Sequence, residues 1–130
     1  MQKILLVDDE PDIVTTIAIA LKQEGFAVST ASDGEEALSM AHKDAPDLVI
    51  LDIMLPTRDG KEVAHILKNE AAHKHVPIIL ITAFTQKHDE ELSSDPCIDF
   101  YIKKPFELEY LINKVRELLE SCKGADKENP

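Results

Sequence analysis

The sequence predicts an α/β fold in which a single doubly wound, five-stranded parallel β-sheet is flanked by helices on both faces. Two observations support this prediction: short apolar runs alternate with segments of helical periodicity, and most of the runs are apolar throughout. A strand with one wet face alternates apolar and polar residues, whereas a continuous apolar run is typical of a strand buried on both faces of a parallel sheet.

Five strands are expected, each a short run that is too brief for a buried helix and rich in branched residues: 3–7, 26–31, 48–51, 77–81 and 100–102. The first helix is predicted to begin at Pro11 and to stop at Gly25, and the second opens at Asp33 or Gly34 and ends before Pro46. Gly60 precedes the third helix.

The last helix is marked by one apolar stripe: Leu108, Leu111, Ile112, Val115, Leu118 and Leu119. Between residues 82 and 100 the only apolar position with helical spacing is Leu92, so the helix expected there is short, poorly anchored and mobile over 86–96. From Cys122 the chain is polar. The predicted domain is therefore 1–121, followed by a frayed tail or the beginning of a linker at 122–130.

Composition excludes several classes of partner. The net charge of −11 argues against direct binding to nucleic acid or an anionic membrane, because both require clustered Lys and Arg. No apolar run is long enough to span a bilayer, and the start of the chain lacks a secretory signal, so a cytoplasmic location is predicted. Cys97 and Cys122 fit no metal or redox spacing and are expected to be reduced thiols.

Polar residues that could carry chemistry follow four of the predicted strands: Asp8, Asp9, Asp52, Thr82 and Lys104. The carboxyl ends of parallel strands share one edge of the sheet, so these side chains are expected to converge there. Three carboxylates brought together repel one another, and an all-oxygen cluster suits Mg²⁺. A magnesium ion beside a hydroxyl and an ammonium group is suited to phosphoryl transfer, with Asp as the nucleophile.

Each residue also has a simpler interpretation on its own. Asp8 and Asp9 could cap the first helix, Thr82 could be a turn residue, and Lys104 could be a solvated charge. For Asp52, which follows the apolar run 48–51, a local structural purpose is hard to find because a buried charge is costly. The simpler interpretation does not explain why all of them occur at strand ends.

Four motifs occur in order along the chain: "ILLVDDEPDI", "DLVILDIMLP" followed by "DG" at Asp59 and Gly60, "PIILITA", and "YIKKPF". On these motifs, residues 3–120 resemble a response regulator receiver domain, the phosphoacceptor module of two-component signalling. This resemblance implies the flavodoxin-like strand order 2-1-3-4-5 and five flanking helices.

The resemblance also implies a role for each site residue. Asp52 matches the phosphoacceptor, Asp9 matches the direct ligand of Mg²⁺, and Asp8 matches its neighbour that acts through water. The backbone carbonyl of Met54 would complete the metal ligands contributed by the protein.

Three further residues match functional positions of the family, and two of them, Thr82 and Tyr101, match its switch residues. Thr82 matches the hydroxyl that bonds the phosphoryl group, Lys104 matches the invariant lysine, and Tyr101 matches the aromatic switch residue. The Lys104–Pro105 peptide bond would be cis.

The implied function is that of a signalling module, limited to Mg²⁺-dependent self-phosphorylation and slow autodephosphorylation. Its implied donor is a histidine kinase or histidine phosphotransfer protein. The downstream target is unknown, and the module would be a monomer or a phosphorylation-dependent dimer. The chain is either a stand-alone receiver or one domain of a longer regulator.

Other residues invite separate hypotheses. Met54 and Phe84 are bulky and apolar near the position of the attacking water, and we expect them to slow hydrolysis of the acyl phosphate. Arg58 is expected to be a solvated loop charge rather than a partner contact. His73 and His75 invite a metal interpretation, but no third ligand has suitable spacing, and no histidine is predicted to be a phosphodonor.

Three other functions remain as alternatives. A phosphatase or mutase similar to the haloacid dehalogenase-like hydrolases would need a second acid two residues after Asp52, where Met54 stands. A flavodoxin-type cofactor binder would need a phosphate-cradling loop after the first strand, where the acidic Asp8 and Asp9 would repel phosphate. A pure interaction module with a silent site is the third, although no site residue is missing.

Overall fold

Strands and helices alternate along the chain in the computed structural model, which describes residues 2–82 and 95–128, with the backbone alone for 121–128. The strands are β1 (Lys3–Val7), β2 (Ala27–Ala31), β3 (Leu48–Asp52), β4 (Ile78–Thr82) and β5 (Phe100–Lys103). The helices in the described ranges are α1 (Pro11–Gln23), α2 (Gly34–Asp44), α3 (Gly60–Lys68) and α4 (Leu108–Glu128). The short helix expected over 86–96, together with its expected mobility, falls almost wholly outside the described residues.

The five strands form one sheet in the order β2-β1-β3-β4-β5, and every neighbouring pair is parallel. This confirms the predicted parallel sheet and its strand order. Every residue of β3 and β4 is buried, which explains why their apolar runs are continuous.

Helices cover both faces of the sheet, as a doubly wound fold requires. Successive strand residues point to opposite faces, so Ile4 and Leu6 belong to one apolar core and Leu5 and Val7 to the other. The first core is closed by α1 and α4, and the second by α2 and α3.

Two helices begin with an aspartate cap. Asp33 accepts a hydrogen bond from the backbone N–H of Glu36, and Asp59 accepts one from Glu62, each at 2.8 Å. These side chains satisfy N–H groups that have no partner within the first turn. The caps fix where α2 and α3 start, at the same edge of the sheet as the carboxyl end of β3.

The last helix is longer than expected. It continues to Glu128, through the segment from residue 122 that the sequence predicted to be frayed or to begin a linker. Alanine, lysine and glutamate in that segment favour helix, and the single Gly124 costs only about 1 kcal/mol. The domain boundary at residue 121 stays a prediction. Among the described residues no helix is both long and apolar enough to cross a membrane.

Gly60 is the first residue of α3 and lies against the backbone of β3. A Cβ atom at this position would lie 2.3 Å from the carbonyl oxygen of Asp52, too close for any real contact. The backbone N–H of Gly60 also donates to the carbonyl of Ile53 at 3.0 Å. The absence of a side chain therefore allows α3 to start directly beside the end of β3.

Substituting Gly60→Ala is expected to lower the free energy of unfolding by about 1–3 kcal/mol, because backbone atoms must move to accept the methyl group. Urea denaturation of both proteins measures the difference. The neighbouring variant Lys61→Ala is the control and is expected to change stability little. Equal stability of Gly60→Ala and the parent would contradict the close approach.

Candidate functional site

The ends of the strands bring the predicted site residues to one edge of the sheet. In the register of the sheet Val7 pairs with Leu51, and Thr82 pairs with Lys103. Asp8 directly follows Val7, Asp52 directly follows Leu51, and Lys104 directly follows Lys103. The structure thus confirms the expected convergence at the carboxyl edge.

Asp52 is the last residue of β3 and is only 4% exposed. Its Oδ1 accepts a hydrogen bond from the backbone N–H of Met54 at 2.9 Å, and its Oδ2 accepts one from Lys104 Nζ at 2.8 Å. Burial of a carboxylate is costly unless it is paired and hydrogen-bonded. Here both oxygens are bonded and one partner is a cation, which makes the buried charge tolerable.

Asp8 is a second buried carboxylate, at 2% exposure. Its Oδ1 accepts from the backbone N–H of Glu10 at 2.9 Å, and its Oδ2 lies 3.5 Å from Lys104 Nζ. Burial raises the pKa of Asp8, and the charge of Asp52 acts in the same direction, although the Glu10 N–H and Lys104 lower it in part. Two buried carboxyl groups therefore share one ammonium group.

Lys104 lies between these carboxylates. Burial alone would lower its pKa, but the hydrogen bond to Asp52 and the charges of Asp52, Asp8 and Glu10 outweigh burial and leave the pKa above its ordinary value. Lys104 is therefore an ammonium ion at neutral pH. Its peptide bond to Pro105 is cis, as the resemblance implies.

Glu10 is not among the predicted site residues. Its Oε1 lies 3.9 Å from Lys104 Nζ, which adds a further acidic group at the rim of the site. The acidic run from Asp8 to Glu10 is visible in the sequence. Acidic residues directly before a helix that begins at Pro11 are, however, already explained by the start of that helix.

Asp8, Asp9 and Asp52 can each bring one carboxylate oxygen to within 4.8 Å of the others. The set contains oxygen donors alone and carries more negative charge than Lys104 balances. Hard cations such as Mg²⁺ prefer such ligands. The residues present therefore fit a magnesium ion, with Asp9 exposed and the other two carboxylates buried beneath it.

The remaining predicted residues lie around this cluster. Thr82 ends β4 and is completely buried, and Tyr101 in β5 is half-buried and packs against the core beneath α2 and α3. The side chain of Met54 is 61% exposed. Phe84, the other residue predicted to slow hydrolysis, lies outside the described residues.

Arg58 lies at the surface, with 37% of its side chain exposed, and it also has acidic partners. It is bonded within the chain: its Nε donates to Glu35 at the start of α2, and its Nη1 donates to Glu62 in α3. Glu35 is 23 residues away, so spacing gave no signal for that pair, whereas Glu62 follows Arg58 by four residues. These ion pairs join the loop after β3 to two helices.

A family model described as the response regulator receiver domain matches residues 4–116. The chain belongs to this family. The predicted function is therefore confirmed at this level: the chain carries a receiver domain of two-component response regulators, a family in which phosphorylation and Mg²⁺ binding are general features and histidine kinases are the partners.

Curated relatives include the alkaline phosphatase synthesis transcriptional regulatory protein PhoP of Bacillus subtilis, which is 42% identical over 91% of this chain and 48% of its own length. The DNA-binding response regulator MtrA of Mycolicibacterium smegmatis is 38% identical over 91% of this chain and 50% of its own. The chain thus spans about half the length of these relatives. The expectation of no nucleic acid partner concerns these 130 residues alone.

Solved structures agree with this assignment. The response regulator TrrA of Thermotoga maritima, determined in complex with Mg²⁺ and BeF, is 41% identical with a TM-score of 0.80, over 91% of this chain and 99% of that one. The chemotaxis response regulator CheY4 of Vibrio cholerae is 30% identical with a TM-score of 0.84, over 91% and 98%. The receiver fold therefore extends over nearly the whole chain.

Proposed function

We propose that Asp52 is the phosphoacceptor of this receiver domain and that its donor is a phosphohistidine on a sensor kinase or on a histidine phosphotransfer protein. The observation that carries the proposal is the contact of Lys104 Nζ with Asp52 Oδ2 at 2.8 Å, in a cluster with Asp8 and Asp9. A buried carboxylate with one ammonium partner, at a solvent-facing edge, is a nucleophile with charge stabilisation already beside it.

In the transfer, a carboxylate oxygen of Asp52 forms a bond to phosphorus while the bond from phosphorus to the donor imidazole nitrogen breaks. The electron pair of that bond leaves with the imidazole. The backbone N–H of Met54 keeps Oδ1 in place, and the other oxygen, Oδ2, is close to Lys104. Lys104 acts as a point charge for the phosphoryl oxygens.

Asp8, Asp9, Asp52 and the backbone carbonyl of Met54 would hold a Mg²⁺ ion. When bound, the ion supplies positive charge that neutralises the phosphoryl oxygens and relieves repulsion among the carboxylates.

Phosphorylation then changes the positions of two side chains on β4 and β5. Thr82 moves to hydrogen-bond the acyl phosphate, and Tyr101 turns inward to fill the space that Thr82 leaves. This shifts an existing equilibrium towards an active surface that includes β5 and α4 and binds a downstream target or a second copy of the chain. Thr82 is completely buried at the end of β4, and Tyr101 is half-buried in the neighbouring strand β5.

Incubation with a small phosphodonor such as acetyl phosphate tests the proposal through its metal requirement. With excess Mg²⁺ we expect one phosphoryl group per chain by intact-mass spectrometry. Chelating the divalent ions with EDTA is expected to reduce incorporation to background, because the carboxylate cluster then carries uncompensated negative charge. Incorporation that does not depend on Mg²⁺ would contradict the proposed metal role.

The exposed Met54 side chain is proposed to hinder the water that hydrolyses the acyl phosphate. Substituting Met54→Ala is expected to shorten the lifetime of the phosphorylated protein severalfold, measured as loss of the phosphorylated mass after removal of the donor. Ile19→Ala, at another exposed apolar side chain, is the matched control and should leave the lifetime unchanged. A parent lifetime of seconds would contradict the hypothesis.

A further inference from the structure

A second group of side chains that could bind a metal ion lies at the other end of the strands from Asp52. It consists of His42 in the last turn of α2, and Glu70 and His73 in the connection between α3 and β4. Lys3 Nζ donates to the carbonyl of Asp44 at 3.2 Å, which places the end of α2 at the beginning of β1. The group therefore lies at the amino edge of the sheet, opposite the carboxylate site.

His73 is the buried member, at 7% exposure, and both of its ring nitrogens face oxygen atoms. Nε2 lies 3.2 Å from the carbonyl oxygen of Ala41, and Nδ1 lies 3.1 Å from Glu70 Oε1. A carbonyl oxygen can only accept, so Nε2 carries the hydrogen and Nδ1 of a neutral ring holds a lone pair. That lone pair points at a carboxylate oxygen, so the contact is favourable only when a positive charge lies between the two atoms, either a proton on Nδ1 or a metal ion bound by both.

His42 approaches the other oxygen of the same carboxylate. Its Nε2 lies 2.7 Å from Glu70 Oε2, and the two imidazole rings are 5.5 Å apart between centroids. One nitrogen from each ring and one carboxylate oxygen all lie within 4.8 Å of one another. Zinc bonds of about 2.0–2.1 Å place the ligand atoms of a tetrahedral site roughly 3.3 Å apart, so small side-chain rotations would close the set around one ion.

Two histidines and one carboxylate form a donor set that suits Zn²⁺ and related transition metals rather than Mg²⁺. The bond from His73 Nε2–H to the carbonyl of Ala41 is the type of contact that orients ligating histidines in metal sites. The side chain of His42 is 51% exposed, which leaves a path for the ion and an open fourth position for water.

We propose that His42, Glu70 and His73 bind a divalent transition metal such as Zn²⁺, and that the ion joins the end of α2 to the connection between α3 and β4. Spacing along the chain offers no third ligand for His73 and His75. The fold instead brings His42 from a different helix, and the exposed His75 is not a member of the group.

Calorimetric titration of the untagged chain with Zn²⁺ tests the proposal, with Mg²⁺ in excess to occupy the acidic site. We expect one Zn²⁺ per chain at this group and a higher thermal unfolding temperature when it is bound. His42→Ala and Glu70→Gln should each weaken binding about tenfold or more and remove the thermal shift. Both positions are on the surface, so both variants are expected to fold even if a change at the buried His73 is not tolerated.

Two controls separate this site from others. His75→Ala is expected to bind Zn²⁺ as the parent does. Cys97→Ser addresses a further group, His65, Asp95 and Cys97, and should also leave this binding event unchanged.

Co²⁺ in place of Zn²⁺ should give the visible absorption of a four-coordinate site in the parent and not in His42→Ala. Absence of binding would show that His73 and Glu70 form only a protonated ion pair. Unchanged affinity in His42→Ala, or equal loss in His75→Ala, would likewise overturn the proposal.

Discussion

Substituting Asp52→Asn is expected to reduce phosphoryl incorporation from acetyl phosphate and Mg²⁺ to background. The amide cannot act as the carboxylate nucleophile, yet its size is the same and its oxygen can still accept the hydrogen bond from the Met54 N–H. Intact-mass spectrometry after incubation measures the loss. The effect should be complete because no other carboxylate among the described residues contacts Lys104 at 2.8 Å.

The matched control for this experiment is Asp12→Asn. Asp12 is exposed in the first turn of α1, so the substitution removes the same charge close to the site but outside the carboxylate cluster. It should leave incorporation at the level of the parent. Equal loss in both variants, or full incorporation in Asp52→Asn, would show that Asp52 is not the acceptor.

Substituting Asp8→Asn is expected to make the metal-free protein more stable while weakening its binding of Mg²⁺. The pKa of Asp8 is raised, first by burial and then by the charge of Asp52, so the ionised form of Asp8 costs free energy in the folded state. Removing this charge should raise the free energy of unfolding at neutral pH by about 1–3 kcal/mol. Loss of the Mg²⁺-binding carboxylate should weaken affinity about 10- to 100-fold.

The pH dependence follows from the direction of the shift. A carboxyl group whose pKa is raised in the folded state adds stability at pH values below its unfolded pKa, and this contribution is lost as the pH rises through the folded pKa. The advantage of Asp8→Asn should therefore be full above the raised pKa of Asp8 and should vanish below the ordinary range of an Asp carboxyl.

Urea denaturation in EDTA across this pH range, with calorimetric titration of Mg²⁺, measures both effects. Asp12→Asn is again the control, because it removes an exposed charge and should show neither effect. We would abandon the interpretation that ionised Asp8 lowers the free energy of unfolding and binds Mg²⁺ if Asp8→Asn were less stable at neutral pH or had unchanged Mg²⁺ affinity.

The sheet could be predicted from the sequence because burial on both faces leaves a local pattern. In β3 every residue from Leu48 to Leu51 is apolar, and a short continuous run of that kind needs no information from elsewhere in the chain. The end of α4 could not be placed in the same way. Helix propensity through residues 122–128 is moderate, and the polar composition from Cys122 resembled a tail as much as a helix.

The carboxylate site was predictable because parallel strands bring their carboxyl ends to one edge of the sheet. A residue that directly follows a predicted strand could therefore be placed at that edge from the sequence alone. Asp8, Asp52 and Lys104 are 44 and 52 residues apart in the chain yet meet there. Contacts between helices have no such rule. Arg58 with Glu35, and His42 with Glu70, depend on the angle at which helices and loops pack, which spacing in a single sequence does not determine.

The most direct test of the account is to locate the phosphoryl group in the parent protein. The chain would be phosphorylated with acetyl phosphate and Mg²⁺, treated with borohydride to reduce the acyl phosphate, digested, and sequenced by tandem mass spectrometry. We expect a single reduced residue, at Asp52, which is absent when EDTA is included. Modification at Asp8, Asp9 or a histidine with Asp52 intact would contradict the assignment of Asp52 as the phosphoacceptor.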